Sequence, residues 1–187
     1  MNRQRLRALI LPLALAGTGL GTAATAGDKP LEHRSVTLNL APGDTLKITT
    51  YDVPTLTGEF VISPAGTIAF PLLGAVKAAG GTPADLRKTL TEQLGDGYIT
   101  NPRVTVAVAH YRPFYILGQV NKPGEYPFVI GLTVRDAVAK AGGFTYRANE
   151  KRVYIRSTGE QTEQTYKLTA GIPVAPGDTL RIGERYF

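Results

Sequence analysis

Residues Ala41–Ile48 read APGDTLKI and residues Ala175–Ile182 read APGDTLRI, so one turn-plus-strand unit occurs twice, early and late in the chain. Pro42 and Pro176 preset φ near −65° for the first corner of a type II turn. Gly43 and Gly177 accept the positive φ of the second corner. Leu46 and Ile48, like Leu180 and Ile182, then alternate with polar residues, the pattern of a half-buried strand. Asp44 and Asp178 invite two readings: a pair of carboxylates for acid/base chemistry, or turn residues that hydrogen-bond nearby backbone. The second needs nothing beyond the turn itself.

Working outward, the 187 residues with 43% apolar and 19% charged side chains form a real core rather than a disordered or fibrous chain. The first residues differ in kind. Arg3, Arg5 and Arg7 precede an apolar run from Ala8 to Leu20, and Ala24-Thr25-Ala26 offers a small-x-small cleavage pattern. This predicts a secretory signal over residues 1–26, because the run is shorter than the roughly 20 residues of a membrane span and is interrupted by Pro12 and Gly17. The three arginines leave with it and no acidic residue does, so a formal +6 falls by three to +3. That charge suits acidic polymers or head groups without requiring nucleic acid. With no Cys, disulfides, thiol catalysis, thiolate metal sites and a lipidated N-terminal cysteine are excluded.

Two modules are expected. In the first, residues 27–111, Val36, Leu38 and Leu40 alternate as a strand, and a second follows the first turn. Phe60-Val61-Ile62 and Ile68-Ala69-Phe70 flank Ser63-Pro64-Ala65-Gly66 as a hairpin. Thr82 as N-cap, Pro83 and Asp85 open a helix whose Leu86, Leu90 and Leu94 share a face and which Gly95 stops. Val104, Val106 and Val108 mark a strand, and the Arg112-Pro113 step marks the boundary. The second module, residues 112–187, pairs Tyr115-Ile116-Leu117 with Tyr126-Pro127-Phe128 across a Lys122-Pro123-Gly124 turn. Thr133 and Asp136 cap a second helix that ends at Gly142-Gly143, and strands follow at Val153–Ile155 and Thr165–Leu168. Gly66 and Gly124 are expected to hold positive φ. The fold class is α+β, two small modules each with a sheet and about one helix.

Residues for bond-making chemistry are hard to assemble. His33 and His110 are the two histidines and show no metal-ligand spacing. Ala78-Ala79-Gly80-Gly81 and Ala141-Gly142-Gly143 lack the order of a nucleotide-binding loop and read as helix-boundary turns. Asp52 and Glu59 would make an acid/base pair only if buried. One polar cluster stands out: Tyr146, Arg147, Lys151, Arg152, Tyr154 and Arg156, whose aromatic faces and cations suit sugar rings and acidic substituents, or simply a solvated strand face.

Four stretches resemble the outer-membrane polysaccharide export (OPX) family of Gram-negative bacteria. Pro64–Gly74, with Gly66, Pro71 and Gly74, and the capped helix after Thr82 resemble its polysaccharide-export domain, which Asn101-Pro102-Arg103-Val104 would close. Gly118-Gln119-Val120 with Pro123-Gly124-Glu125-Tyr126, then Leu132–Ala137 running into Gly142-Gly143, resembles the neighbouring SLBB domain, a β-grasp. The resemblance implies a non-enzymatic, cofactor-free component of capsular or exopolysaccharide export, a homo-oligomeric ring in the periplasm, associated with the outer membrane. Its implied partners are the polysaccharide, an inner-membrane polysaccharide copolymerase and, because this sequence has neither a lipidated Cys nor a helix beyond Arg185-Tyr186-Phe187, a separate outer-membrane pore protein. The rival is a monomeric periplasmic carbohydrate-binding module. A ring needs complementary surfaces on opposite sides of each subunit, whereas a binding module needs one concave aromatic site.

Overall fold

The computed structural model describes Arg34, residues 36–169 and residues 171–185; the expected secretory signal and His33 lie outside them. The first APGD turn leads into β1 (Thr45–Thr50), whose Leu46, Ile48 and Thr50 alternate into the core. β1 is the centre of an antiparallel sheet in the order β2-β1-β5, with β2 at Gly58–Val61 and β5 at Val104–His110. β3 (Thr67–Phe70) and β4 (Gly74–Lys77) form a separate antiparallel hairpin that buries Ile68, Phe70 and Val76. Its three-residue tip leaves Leu72 exposed at φ 69°. Helix α1 (Pro83–Gly95) packs against β5 and buries Leu86, Leu90 and Leu94. Removing each such leucine from water contributes about 1.5–3 kcal/mol.

The second sheet is mixed, in the order β7-β6-β10-β8-β9: β6 spans Phe114–Gly118, β7 Gly124–Tyr126, β8 Arg152–Arg156, β9 Gln164–Lys167 and β10 Thr179–Ile182. β6 and β10 are parallel neighbours and the other pairs are antiparallel. Helix α2 (Val134–Lys140) turns Val134, Ala137 and Val138 into the core formed with Phe114, Ile116, Val153, Ile155, Leu180 and Ile182. The result is α+β with two apolar cores, and both belong to one compact unit.

Both helices begin with reciprocal capping boxes. Thr82 Oγ1 accepts from the Asp85 backbone N–H while the Asp85 carboxylate accepts from the Thr82 N–H, and Thr133 and Asp136 do the same. The Thr82 backbone and hydroxyl hydrogen bonds lower the Asp85 pKa below its usual value, and those of Thr133, the hydroxyl first, lower that of Asp136.

Four details depart from the sequence expectations. Residues 36–40 form no ladder strand: Leu40 exchanges single backbone bonds with Gly80 and Gly81 and is buried. The turn at Ser63–Gly66 exists, with Gly66 at φ 78° and its N–H donating to Ser63 O, yet its flanks do not pair as one hairpin. β2 takes β1 as partner and β3 takes β4, the strand that follows it after a three-residue tip and buries Val76. Helix α1 runs through Gly95 and ends at Asp96, beyond which Gly97 takes φ 95°. Finally, Gly124 has the expected positive φ, 159°, but stands at the start of β7 and pairs with Ile116 rather than lying in the turn before it.

Gly118 is the glycine that close approach demands. It holds φ 85°, and a Cβ there would collide with the Ile182 backbone carbonyl of β10, whereas a Cβ on Gly124 meets nothing within 4 Å. Gly118→Ala should therefore destabilise by roughly 2–4 kcal/mol, while Gly124→Ala, which meets no atom but strains the backbone, should cost less, roughly 1–2 kcal/mol. Thermal melts of the two purified variants check the contrast.

Candidate functional site

The two APGD turns place their aspartates inside the protein. In each, the Asp N–H closes the turn onto the Ala carbonyl, Asp44 to Ala41 at 3.1 Å and Asp178 to Ala175 at 3.2 Å, with Gly43 at φ 91° and Gly177 at φ 79°. Each carboxylate accepts the same Ala N–H in return, at 2.9 and 2.7 Å. Both aspartates are fully buried, and each meets an arginine. Asp44 accepts from the Arg112 N–H at 2.8 Å and from Arg112 Nη1 at 3.2 Å to both oxygens. Asp178 takes a bidentate grip from Arg34, Nη1 to Oδ2 at 2.6 Å and Nη2 to Oδ1 at 2.9 Å; Arg34 also donates to Pro173 O and Ser157 Oγ. A buried carboxylate without such partners costs several kcal/mol, so these arginines are structural requirements of the turns.

Arg112 serves the second turn as well. The next residue, Pro113, accepts from the Gly177 N–H, and Tyr115 N–H donates to Asp178 O. The Arg112 side chain lies so close to Gly177 that a Cβ there would stand 2.8 Å from Nε, the one buried side-chain nitrogen or oxygen among the described residues without a hydrogen-bond partner. Residues 112–115 thus hold both turns, and with them both cores.

The polar cluster read from the sequence splits in two. Arg152, Tyr154 and Arg156 share the outer face of β8, opposite the inward Val153 and Ile155. Tyr146, Arg147 and Lys151 lie in the preceding loop, exposed, Tyr146 at 85%. Strand register brings other residues to the β8 face: Arg181 opposite Tyr154, Thr179 opposite Arg156, Lys167 opposite Arg152, and, one strand further, Leu117 beside Arg181 and Tyr115 beside Thr179. The Arg181 guanidinium stacks 4.0 Å above the Tyr154 ring and forms a bidentate pair with Glu163. One face of the Tyr154 ring therefore seats Arg181. Hydrogen bonding by Arg181 holds the Glu163 carboxyl below its usual value and raises Arg181 itself, with Arg156 adding to the field at Glu163.

The remaining sequence candidates are structural or peripheral. Asp52 is an exposed turn residue at φ 62° and Glu59 is exposed on β2 opposite Lys47, so neither has the burial that an acid/base pair needs. His110 is exposed at the end of β5. Asn101, at φ 56°, and Pro102 shape the loop before β5; Gly142 and Gly143, at φ 79° and 88°, shape the turn after α2. Arg34, Arg112, Arg181, Tyr115, Leu117 and Lys167 were not singled out from the sequence. The signal for Arg181 was its place in the repeated motif, and that for Arg112 its position before Pro113.

The geometry thus offers two caged aspartates and an exposed cationic sheet face, and no buried carboxylate pair at the candidate residues Asp52 and Glu59. Residues 33–109 match the family described as polysaccharide biosynthesis/export protein, and residues 113–174 match the SLBB domain. The chain is similar to the exopolysaccharide production protein ExoF of Rhizobium meliloti (strain 1021), 29% identical over 83% of this chain and 38% of that protein. It is also similar to the polysialic acid transport protein KpsD of Escherichia coli, 30% identical over 90% and 31%. A third relative is the EPS I polysaccharide export outer membrane protein EpsA of Ralstonia nicotianae (strain ATCC BAA-1114 / GMI1000), 29% identical over 73% and 40%. The chain belongs to the polysaccharide export family, and it spans less than half the length of each of these relatives.

The Glu163–Arg181 pair gives a pH test. A carboxylate whose folded pKa is depressed contributes stability above its unfolded value, usually 4.5, and loses it as pH falls through the folded value. Side-chain NMR titration should place Glu163 below 4.5, and Arg181→Ser should bring it back towards that value.

Proposed function

We propose that this chain is a periplasmic, outer-membrane-associated component of capsular or exopolysaccharide export that assembles into a homo-oligomeric collar around the polymer's path. The carrying observation is the order of the two matched domains over residues 33–174, which relatives named for exopolysaccharide production, polysialic acid transport and polysaccharide export share in sequence. In the sheet β2-β1-β5 the edge strands β2 and β5 lie on opposite sides, which leaves two edges open to a head-to-tail contact between copies. The role is non-enzymatic, with an inner-membrane copolymerase and an outer-membrane pore protein as partners. Among the described residues no helix is long and apolar enough to cross a membrane.

Light scattering on the chain from residue 27 onward should give a mass several times that of the monomer, and a deletion strain should lose polysaccharide secretion. A strictly monomeric protein, or normal secretion without it, contradicts the proposal. The paired change Arg152→Ser and Arg156→Ser should reduce secretion while shifting the melting temperature little, since exposed charges contribute under about 1 kcal/mol each. Quantified surface polysaccharide and a thermal melt check it.

A further inference from the structure

The outer face of the five-stranded sheet carries a feature that folding alone disfavours. Arg152 on β8 and Lys167 on β9 are direct cross-strand partners, and both are exposed. Like charges directly opposite one another destabilise a sheet. The carboxylates on this face do not relieve them: Glu163 is bound by Arg181, and Glu125 stands at the far edge, opposite Tyr115. Glu184, in the segment after β10, accepts a hydrogen bond from Gln119. Arg152 and Lys167 enter no ion pair among the described residues, and Lys151 adds a third exposed cation beside them.

At the other side of the same face, Tyr115 and Leu117 are 41% and 45% exposed although both lie within a strand. β6 and β9 are three strand spacings apart, roughly 14 Å. Between them stands the Arg181–Tyr154–Glu163 stack, its charges mutually satisfied. The face thus reads, from β6 to β9, as an apolar and aromatic platform, a neutral ridge and an unrelieved pair of cations.

We infer that this face is a docking surface for an anionic polysaccharide, whose sugar rings lie on Tyr115 and Leu117 and whose carboxylate bridges Arg152 and Lys167. Sugars offer apolar ring faces to an aromatic side chain, and a carboxylate gives each cation a charge-assisted hydrogen bond. A second copy presenting the same face would bring cation against cation, which costs binding. The inference rests on the export reading and narrows its cargo to acidic polymers.

The test is calorimetry at low and physiological salt with the protein from residue 27 onward and three probes: a polygalacturonate oligosaccharide, a dextran of matched length and poly-glutamate. Polygalacturonate should bind more tightly at low salt and dextran should not bind. Replacing Arg152→Ser and Lys167→Ser together should weaken binding at least about tenfold, as expected for lost hydrogen bonds to charge; Arg152→Lys should retain most of it, with melting temperature unchanged. Absent polygalacturonate binding, wild-type affinity in the double variant or equal dextran binding would overturn the inference. Equal binding of poly-glutamate would instead make the face an acidic-peptide site, and a change in oligomer mass in the double variant would make it a subunit contact; either result overturns it. Secretion by the deletion strain tests the export reading separately, so the two can fail independently.

Discussion

The buried aspartates of the APGD turns are the constraint on which the rest of the structure depends. A tight turn ending in a carboxylate is ordinarily a surface device, since its oxygens want water. Here both carboxylates are out of water, and each survives there because an Ala N–H and an arginine replace the lost hydration. The arginines come from far along the chain, Arg112 to Asp44 and Arg34 to Asp178. Satisfying the turns therefore brings the segment before the first sheet to the second, and the segment between the modules to the first.

The repeat is used asymmetrically. Lys47 and Arg181 occupy the same place in the two copies of the motif, one residue after the leucine, and both face away from the core. Lys47 lies on the central strand β1 and pairs across with Glu59 of the edge strand β2. Arg181 lies in an interior strand between Tyr154 and Leu117, where a planar guanidinium stacks on a ring and grips a carboxylate at once, which an ammonium does not do. The second sheet consequently presents an ordered outer face, and that face is where the proposed polymer contacts concentrate.

Much of the fold was legible because local chemistry decides it. The capping boxes depend on residues three apart, the PGD turns on adjacent residues, and the strands at Val104–His110 and Val153–Ile155 on simple alternation. Strand partnership was less legible. Phe60–Ile62 and Ile68–Phe70 flank a genuine turn, yet β2 and β3 pair elsewhere, because four residues at Gly74–Lys77 with one buried side chain carry too weak a pattern to read as a strand. The candidate face was half visible: Arg152, Tyr154 and Arg156 alternate within one stretch, but Tyr115, Lys167 and Arg181 join them only through register across four strands. The arginine partners of Asp44 and Asp178 were invisible for the same reason, being contacts between positions far apart in the chain.

A double-mutant cycle between Asp44 and Arg112, followed by urea unfolding of the wild type, Asp44→Ala, Arg112→Ala and the double variant, tests the turn-clamp account most directly. A buried, hydrogen-bonded ion pair that organises both turns predicts that each single change destabilises strongly and that the double variant loses less than their sum, with a coupling above about 1 kcal/mol. Additive losses, agreeing to within about 0.5 kcal/mol, would show that Arg112 and Asp44 act independently and would contradict the account.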